Sequence, residues 1–252
     1  MRTIYSLVVA LGIVLLSATS GFTQQCGDLD GSGEIAATDA LLVLNKAVGG
    51  STPDLVCPVT VGVLTTGQTQ CFSSPLGDHM DCAGTGQDGE LQKGVARSFT
   101  DQGDGTITDN ATGLMWEKLS DDDTIHDTDT LYSWADAFAV KVLLLNSTAF
   151  AGYADWRLPN AFELFSLVDN TGLSPHVNEV FNTGCMPGCN VLTCSCTERV
   201  VEGFGEARYW SSTSLDFAFG SPSALFVDFY FSVVDGEERW SDLQVRAVRG
   251  GM

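Results

Sequence analysis

The chain has 252 residues, with 32 Asp and Glu against 12 Lys and Arg and a formal charge of −20. Phosphate backbones and anionic membranes repel such a chain, so nucleic-acid binding is excluded and its carboxylates suit divalent cations, neutral sugars or basic partners. Hydrophobic residues at 44%, charged residues at only 17% and 27 glycines describe one loop-rich globular domain plus a small module, not a disordered acidic tail.

Residues 1–24 have the layout of a secretory signal peptide: a positive start at Met1-Arg2, an apolar run from Ile4 to Leu16, and the small-residue exit Ala18-Thr19-Ser20. The apolar run falls short of the roughly 20 residues a membrane-spanning helix needs. Cys26 follows Gln24-Gln25, where a lipid-attachment site wants small residues. Cleavage is expected between Ser20 and Cys26, leaving a mature chain without a membrane anchor in the periplasm or outside the cell.

Export changes how the eight cysteines are read, because an even number in an oxidising compartment favours disulfides. Cys26 with Cys57 and Cys71 with Cys82 are the economical pairs. Cys185, Cys189, Cys194 and Cys196 follow the spacing C-x3-C-x4-C-x-C. That spacing suggests two disulfides or a zinc site, and the missing CxxC pairs favour the disulfides.

Residues 26–58 carry the sharpest motif. The stretch 28–39, DLDGSGEIAATD, places oxygen donors where an EF-hand loop needs them: Asp28, Asp30 and Ser32 at positions one, three and five, the Glu34 carbonyl at seven and Asp39 at twelve. Gly33 takes the sharp bend at position six, and Ile35 packs the loop on the helix that follows, Ala40 to Val48, which stops at Gly49-Gly50. Calcium is therefore the expected cofactor. The segment CGDLDGSGEIAATDALLVLNKAVGG resembles one half of a dockerin, whose loop-helix repeats also close with Asp, and this implies a protein partner for the module. A dockerin carries two such repeats; this chain has one, and Ala36 at position nine supplies no side-chain donor.

Residues 59–93, rich in Gly, Thr, Ser and Gln, read as a linker or a disulfide-stapled loop around Cys71 and Cys82. Short strands then alternate with turn chemistry: VARSF at 95–99, TITD at 106–109 and LMWEK at 114–118 form a β-meander. The aspartates from Asp121 to Asp129 read as a solvated loop. Tyr132 to Asn146 has helical spacing at Trp134, Phe138, Val142 and Leu145. A second helix is expected after Pro159, using Leu164, Phe165, Leu167 and Val168, and late strands around 209–212, 225–233 and 244–248. Helices embedded between such strands give an α+β fold.

Residues 94–250 meet a family. GVARSFTDQGDGTITDNATGLMWEK, YSWADAF, FAGYADWRLPNAFELFSLVD, YWSST and VRAVRGG, in that order, resemble the Lcl C-terminal domain family. The resemblance implies a C-type-lectin-like fold, distantly similar to the domain of formylglycine-generating enzymes, and adhesion through surface polysaccharide, including sulfated glycans. The acidity of this chain argues against a polyanionic ligand. Sugar-binding C-type lectins place Glu-Pro-Asn and Trp-Asn-Asp around calcium; Leu158-Pro159-Asn160 and Trp240-Ser241-Asp242 do not reproduce that set.

Arg157 and Arg246 or Arg249 are expected in structural networks with carboxylates such as Asp155 or Glu163, and Trp116, Trp156 and Trp210 in the core. No catalytic residue is assigned, because no Ser-His-Asp, HExxH or phosphate-loop motif is present. The expected function is non-catalytic, calcium-assisted binding or adhesion to a glycan or cell-surface ligand at residues the sequence does not identify. The alternatives are a structural or assembly module tethered through the dockerin-like segment and linked to polysaccharide degradation, a cellulosome-type enzyme subunit, and an oxidase of the formylglycine-generating kind using reduced cysteines.

Overall fold

The computed structural model describes residues 63–73, 77–172, 174–201, 203–215 and 221–251. They belong to the unit Gly62–Met252. The expected signal segment, the expected calcium loop and the expected pairing of Cys26 with Cys57 lie outside the described residues.

Two antiparallel sheets carry the domain. In the first, strands β3 (Phe99–Asp101), β4 (Thr106–Asp109) and β5 (Leu114–Glu117) form the expected meander, and the last strand, β11 (Val248–Gly250), joins beside β5 to give the order β11-β5-β4-β3. The turns are set by aspartates that act locally. Asp104 accepts from the Thr106 N–H and hydroxyl, and Asp109 accepts from the Ala111 N–H and the Thr112 hydroxyl. These bonds commit DQGDG and NATG to turns, the role short acidic side chains take when they compete with the ladder. The strand expected over 95–99 begins only at Phe99; Val95 instead makes a bridge to Leu64.

The second sheet has the order β10-β9-β8, from β8 (Arg208–Leu215), β9 (Ser223–Asp228) and β10 (Val233–Glu238). The long strand expected over 225–233 is thus two strands. Asp228 breaks the run by accepting from the Tyr230 and Phe231 N–H groups, and Ser232 takes a positive φ of 57°. Residues 244–247 form no strand; Gln244 makes a single bridge to Tyr209 and the ladder begins at Val248. A bulge between Trp210 and Ser214 shifts the register of β8 against β9. A small hairpin, β6 (Arg199–Val201) with β7 (Phe204–Glu206), lies between the sheets in sequence.

The helix expected over 132–146 spans Trp134–Asp136, Ala137–Val142 and Leu143–Ser147, and its middle stretch winds as a π-helix. We call it α2. Ser133 caps it through the Asp136 N–H. The wider winding changes which residues face inward: Ala137, Lys141 and Leu145 are buried, whereas Phe138, expected on the apolar face, is 38% exposed. A charged lysine has taken a core position, and its partner is described below.

The helix after Pro159, α3, covers only Ala161–Phe165. It stops before Leu167 and Val168, which are buried but outside it. Its start is a capping box. Asn160 Oδ1 accepts from the Phe162 and Glu163 N–H groups at 2.9 Å each, and Glu163 Oε2 accepts from the Asn160 N–H at 2.8 Å. Asn160→Ala is expected to cost about 1 kcal/mol by urea denaturation, the usual value of an N-cap. An unchanged midpoint would show that the cap contributes nothing here.

The main core fills the space between the sheets with Ile107, Trp116 and Val248 from one and Tyr209 and Val227 from the other, closed by Phe181, Phe229 and the Cys189 and Cys196 sulfurs. A second cluster joins Tyr132, Ala137, Leu158, Trp210, Phe226 and Val245. Trp116, Trp156 and Trp210 are all at 2% exposure or less, so these three rings are core rather than stacking platforms for a sugar.

Residues 63–93 are not a free tether in their described part. Strands β1 (Cys71–Phe72) and β2 (His79–Met80) pair as a hairpin stapled by Cys71–Cys82, followed by the short helix α1 (Asp88–Leu91). Backbone bonds Asn170 N–H to Thr66 O and Thr65 N–H to Val95 O tie this extension to the domain. Arg97 adds bonds to the Thr65 and Ser166 carbonyls. No described helix is long and apolar enough to cross a membrane.

Candidate functional site

The cysteine cluster resolves into Cys185–Cys196 and Cys189–Cys194, with no free cysteine among the described residues. Disulfide sulfurs are neither the thiolates zinc takes nor the reduced pair a cysteine oxidase needs. These two bridges staple the loop 183–196 into the main core.

The motif arginines are structural. Arg157 makes a bidentate pair with Glu163, 2.8 and 2.7 Å, and donates to the Gly250 carbonyl. Glu163 thereby serves the cap of α3 and the guanidinium together. Burial alone would raise its carboxyl; Arg157 and the Asn160 N–H reverse this and hold it below the ordinary value. Arg249 pairs with Asp155 at 2.7 Å over the Tyr153 ring. Arg246 departs from expectation: it is buried without a carboxylate partner. It donates instead to the carbonyls of Glu117 and Cys196 and to Thr197 Oγ1, between the Phe181 and Tyr209 rings. Neutral acceptors and ring faces solvate a delocalised guanidinium where a point charge would demand an anion.

At the centre lies an ion cluster. Glu117 is fully buried; its Oε1 takes Lys141 Nζ at 2.6 Å and His126 Nδ1 at 2.7 Å, and its Oε2 takes the Ala247 N–H at 3.0 Å. Lys141 also donates to the Ile125 carbonyl. Burial by itself would raise the Glu117 carboxyl, but Lys141 and His126 overcome it and bring it down to about 2. Nearby, Gln244 Nε2 binds Thr128, Thr197 and Tyr209, whose hydroxyl donates to the Thr197 carbonyl. This network is enclosed, so its chemistry is cohesion of the core.

The 121–129 loop is more ordered than a solvated acidic turn. Carboxylate oxygens of Asp121, Asp127 and Asp129 lie within 4.8 Å of one another. Burial and then the neighbouring aspartates raise the Asp121 and Asp129 carboxyls. Hard cations accept such oxygens, but calcium takes six to eight. The buried Asp127 already accepts from the Asp123 and Asp129 N–H groups, which gives it a turn-forming role.

An open groove of about 480 Å³ remains, lined by Gln68, Gln70, Phe72, His79, Asn170, Thr171, Gly172 and His176. Half of its lining comes from the stapled extension and half from the loop after α3. Phe72 and His79 sit opposite each other in the hairpin, with ring centroids 4.9 Å apart. The Gln87 side chain clamps Phe72 by accepting from its N–H and donating to its carbonyl. Behind the other wall, the buried Asp169 accepts from the Thr171 N–H and hydroxyl. Gly67 allows the close approach of the walls: at φ +82°, a Cβ there would lie 2.1 Å from Asp169 Oδ1. None of these groove residues was singled out by sequence, because amides and threonines in a Gly-rich stretch carry no motif.

Two antiparallel sheets, few short helices and stapled loops define a small α+β domain of lectin-like type. Residues 105–249 match the family model described as the Lcl C-terminal domain; this is more than half the chain, and the chain belongs to that family. No curated protein and no solved structure matches the chain.

Proposed function

We propose that the chain is an exported, non-catalytic binding protein that attaches to a glycan or other surface ligand, with a calcium-loaded module at residues 26–58. The supporting observation is how the chain spends its functional groups. Trp116, Trp156 and Trp210, the motif arginines and the buried Glu117 are committed to cohesion, while the open groove presents amides, the Thr171 hydroxyl, Phe72 and two histidines. Amides, a hydroxyl and aromatic faces are groups that hold a ligand by hydrogen bonds and stacking. Three disulfides among the described residues fit an oxidising compartment outside the cytoplasm.

The test is binding of the full secreted chain to an array of neutral, acidic and sulfated glycans. Retention of any class supports the glycan reading, and silence across all of them defeats it. Calcium enters separately, through Asp28, Asp30, Ser32, Glu34 and Asp39. Chelator is expected to lower the thermal midpoint of the full chain, and Asp28→Ala with Asp30→Ala to abolish that response. A midpoint indifferent to chelator, with no heat on calcium titration, would remove the cofactor. The dockerin-like sequence favours one second reading, an assembly module, which calcium-dependent capture of a protein partner by the full chain would support.

A further inference from the structure

We infer that the groove between the stapled hairpin and the loop after α3 is a saccharide site, and that its ligand is an uncharged, hydroxyl-rich sugar. The inference rests on the binding reading above and narrows it to a place and a ligand class. No Asp, Glu, Lys or Arg lines the groove, so nothing there neutralises a sulfate or a uronate carboxylate. The chain's charge of −20 further opposes polyanions.

The lining chemistry matches a neutral pyranose. Sugar hydroxyls both donate and accept, and so do planar amides. Gln68 uses its Oε1 on the Gln70 N–H, which leaves its Nε2 for a ligand. Among the described residues the Gln70 and Asn170 side-chain amides make no hydrogen bond within the protein. The apolar face of a sugar ring packs on aromatic carbon, which Phe72, 37% exposed, and the exposed His79 supply. His176 Nδ1, at the same groove, is buried without a partner. An orphaned polar atom is unfavourable, and an ordered water or ligand hydroxyl reached by a small ring shift would relieve it.

The walls are set before any ligand arrives. Cys71–Cys82 and the Gln87 clamp fix the ring pair, and the Asn170 N–H to Thr66 O bond fixes one wall to the other. Rigid walls reduce the ordering cost of binding. The hairpin wall also lies outside residues 105–249, so this half of the site is an addition to the family domain.

The experiment prints neutral hexose and N-acetylhexosamine oligosaccharides beside sulfated ones and compares the full chain with Gln70→Ala, Asn170→Ala and Phe72→Ala. Trp240→Ala, exposed elsewhere, serves as control. The wild-type chain is expected to retain neutral sugars. Each amide truncation should weaken retention about five- to tenfold, the ratio for one lost hydrogen bond, with an unchanged thermal midpoint. Equal retention by all three groove variants overturns the site while leaving glycan binding intact. Retention of sulfated glycans alone overturns the ligand class in the same way. Silence toward every glycan defeats the glycan reading itself and this inference with it.

Discussion

Glu117→Ala is expected to lower the unfolding free energy by about 3–5 kcal/mol, because it leaves the Lys141 ammonium buried without its anion. The consequence extends past one pair. Glu117 holds α2 through Lys141, the 121–129 loop through His126 and the final segment through the Ala247 N–H. A urea midpoint that moves by the equivalent of less than about 1 kcal/mol would show that these elements hold without it.

The same residue sets an acid limit. Its carboxyl falls from an ordinary 4.5 to about 2 in the folded chain, so between those values the unfolded chain binds the extra proton. Stability therefore rises with pH across that window; the contribution is complete above about pH 4.5 and lost toward pH 2. Burial pushes Lys141 below its ordinary value, and Glu117 restores only part. The cost of burying that ammonium persists until pH rises past its lowered value. Cohesion here comes from the carboxylate gathering three donors, the ammonium, the imidazole and the Ala247 N–H, onto one centre. Glu117→Gln should flatten the acid slope, and an unchanged slope would assign it to other carboxylates.

Trp210→Ala should cost about 3–5 kcal/mol, the range for removing a fully buried indole. Substitution by Phe separates packing from hydrogen bonding. Trp210 Nε1 donates to the Tyr132 carbonyl at 2.9 Å, whereas the equally buried Trp116 Nε1 has no partner. Trp210→Phe loses a satisfied bond and orphans a carbonyl. Trp116→Phe removes a donor that was already orphaned, so it should be the milder change despite the same lost volume. Equal costs for the two would mean that volume alone decides. The structure offers no reason why Trp116 should keep an unsatisfied N–H.

The meander was legible because its information is local: Asp104 and Asp109 bond to residues two and three positions on, and such chemistry is written in short spacings. The Cys71–Cys82 staple was legible for the same reason. Lys141 was not. A lysine between Val140 and Val142 reads as solvent-facing by its charge, and what draws it inward on the π-helical stretch is a glutamate 24 residues earlier. The break at Asp228 was hidden by the apolar residues on both sides of it. The two extra acceptors of Arg246, at 117 and 196, are backbone carbonyls, which no side-chain pattern announces. The groove was illegible for a related reason: its parts lie 90 or more residues apart and are ordinary apart from their meeting.

The last strand, beside β5, also governs when the domain can form. Ala247 bonds to Glu117 across 130 residues, and Val248 pairs with Trp116. Until those residues have left the ribosome, Glu117 has no amide for its second oxygen and β5 keeps one open edge. Folding must therefore be a late event after synthesis of the whole domain, with the slow closure that distant contacts impose. A chain halted short of residue 246 should remain protease-sensitive and expose its cysteines to mispairing, so the final few residues act as the latch that commits the domain.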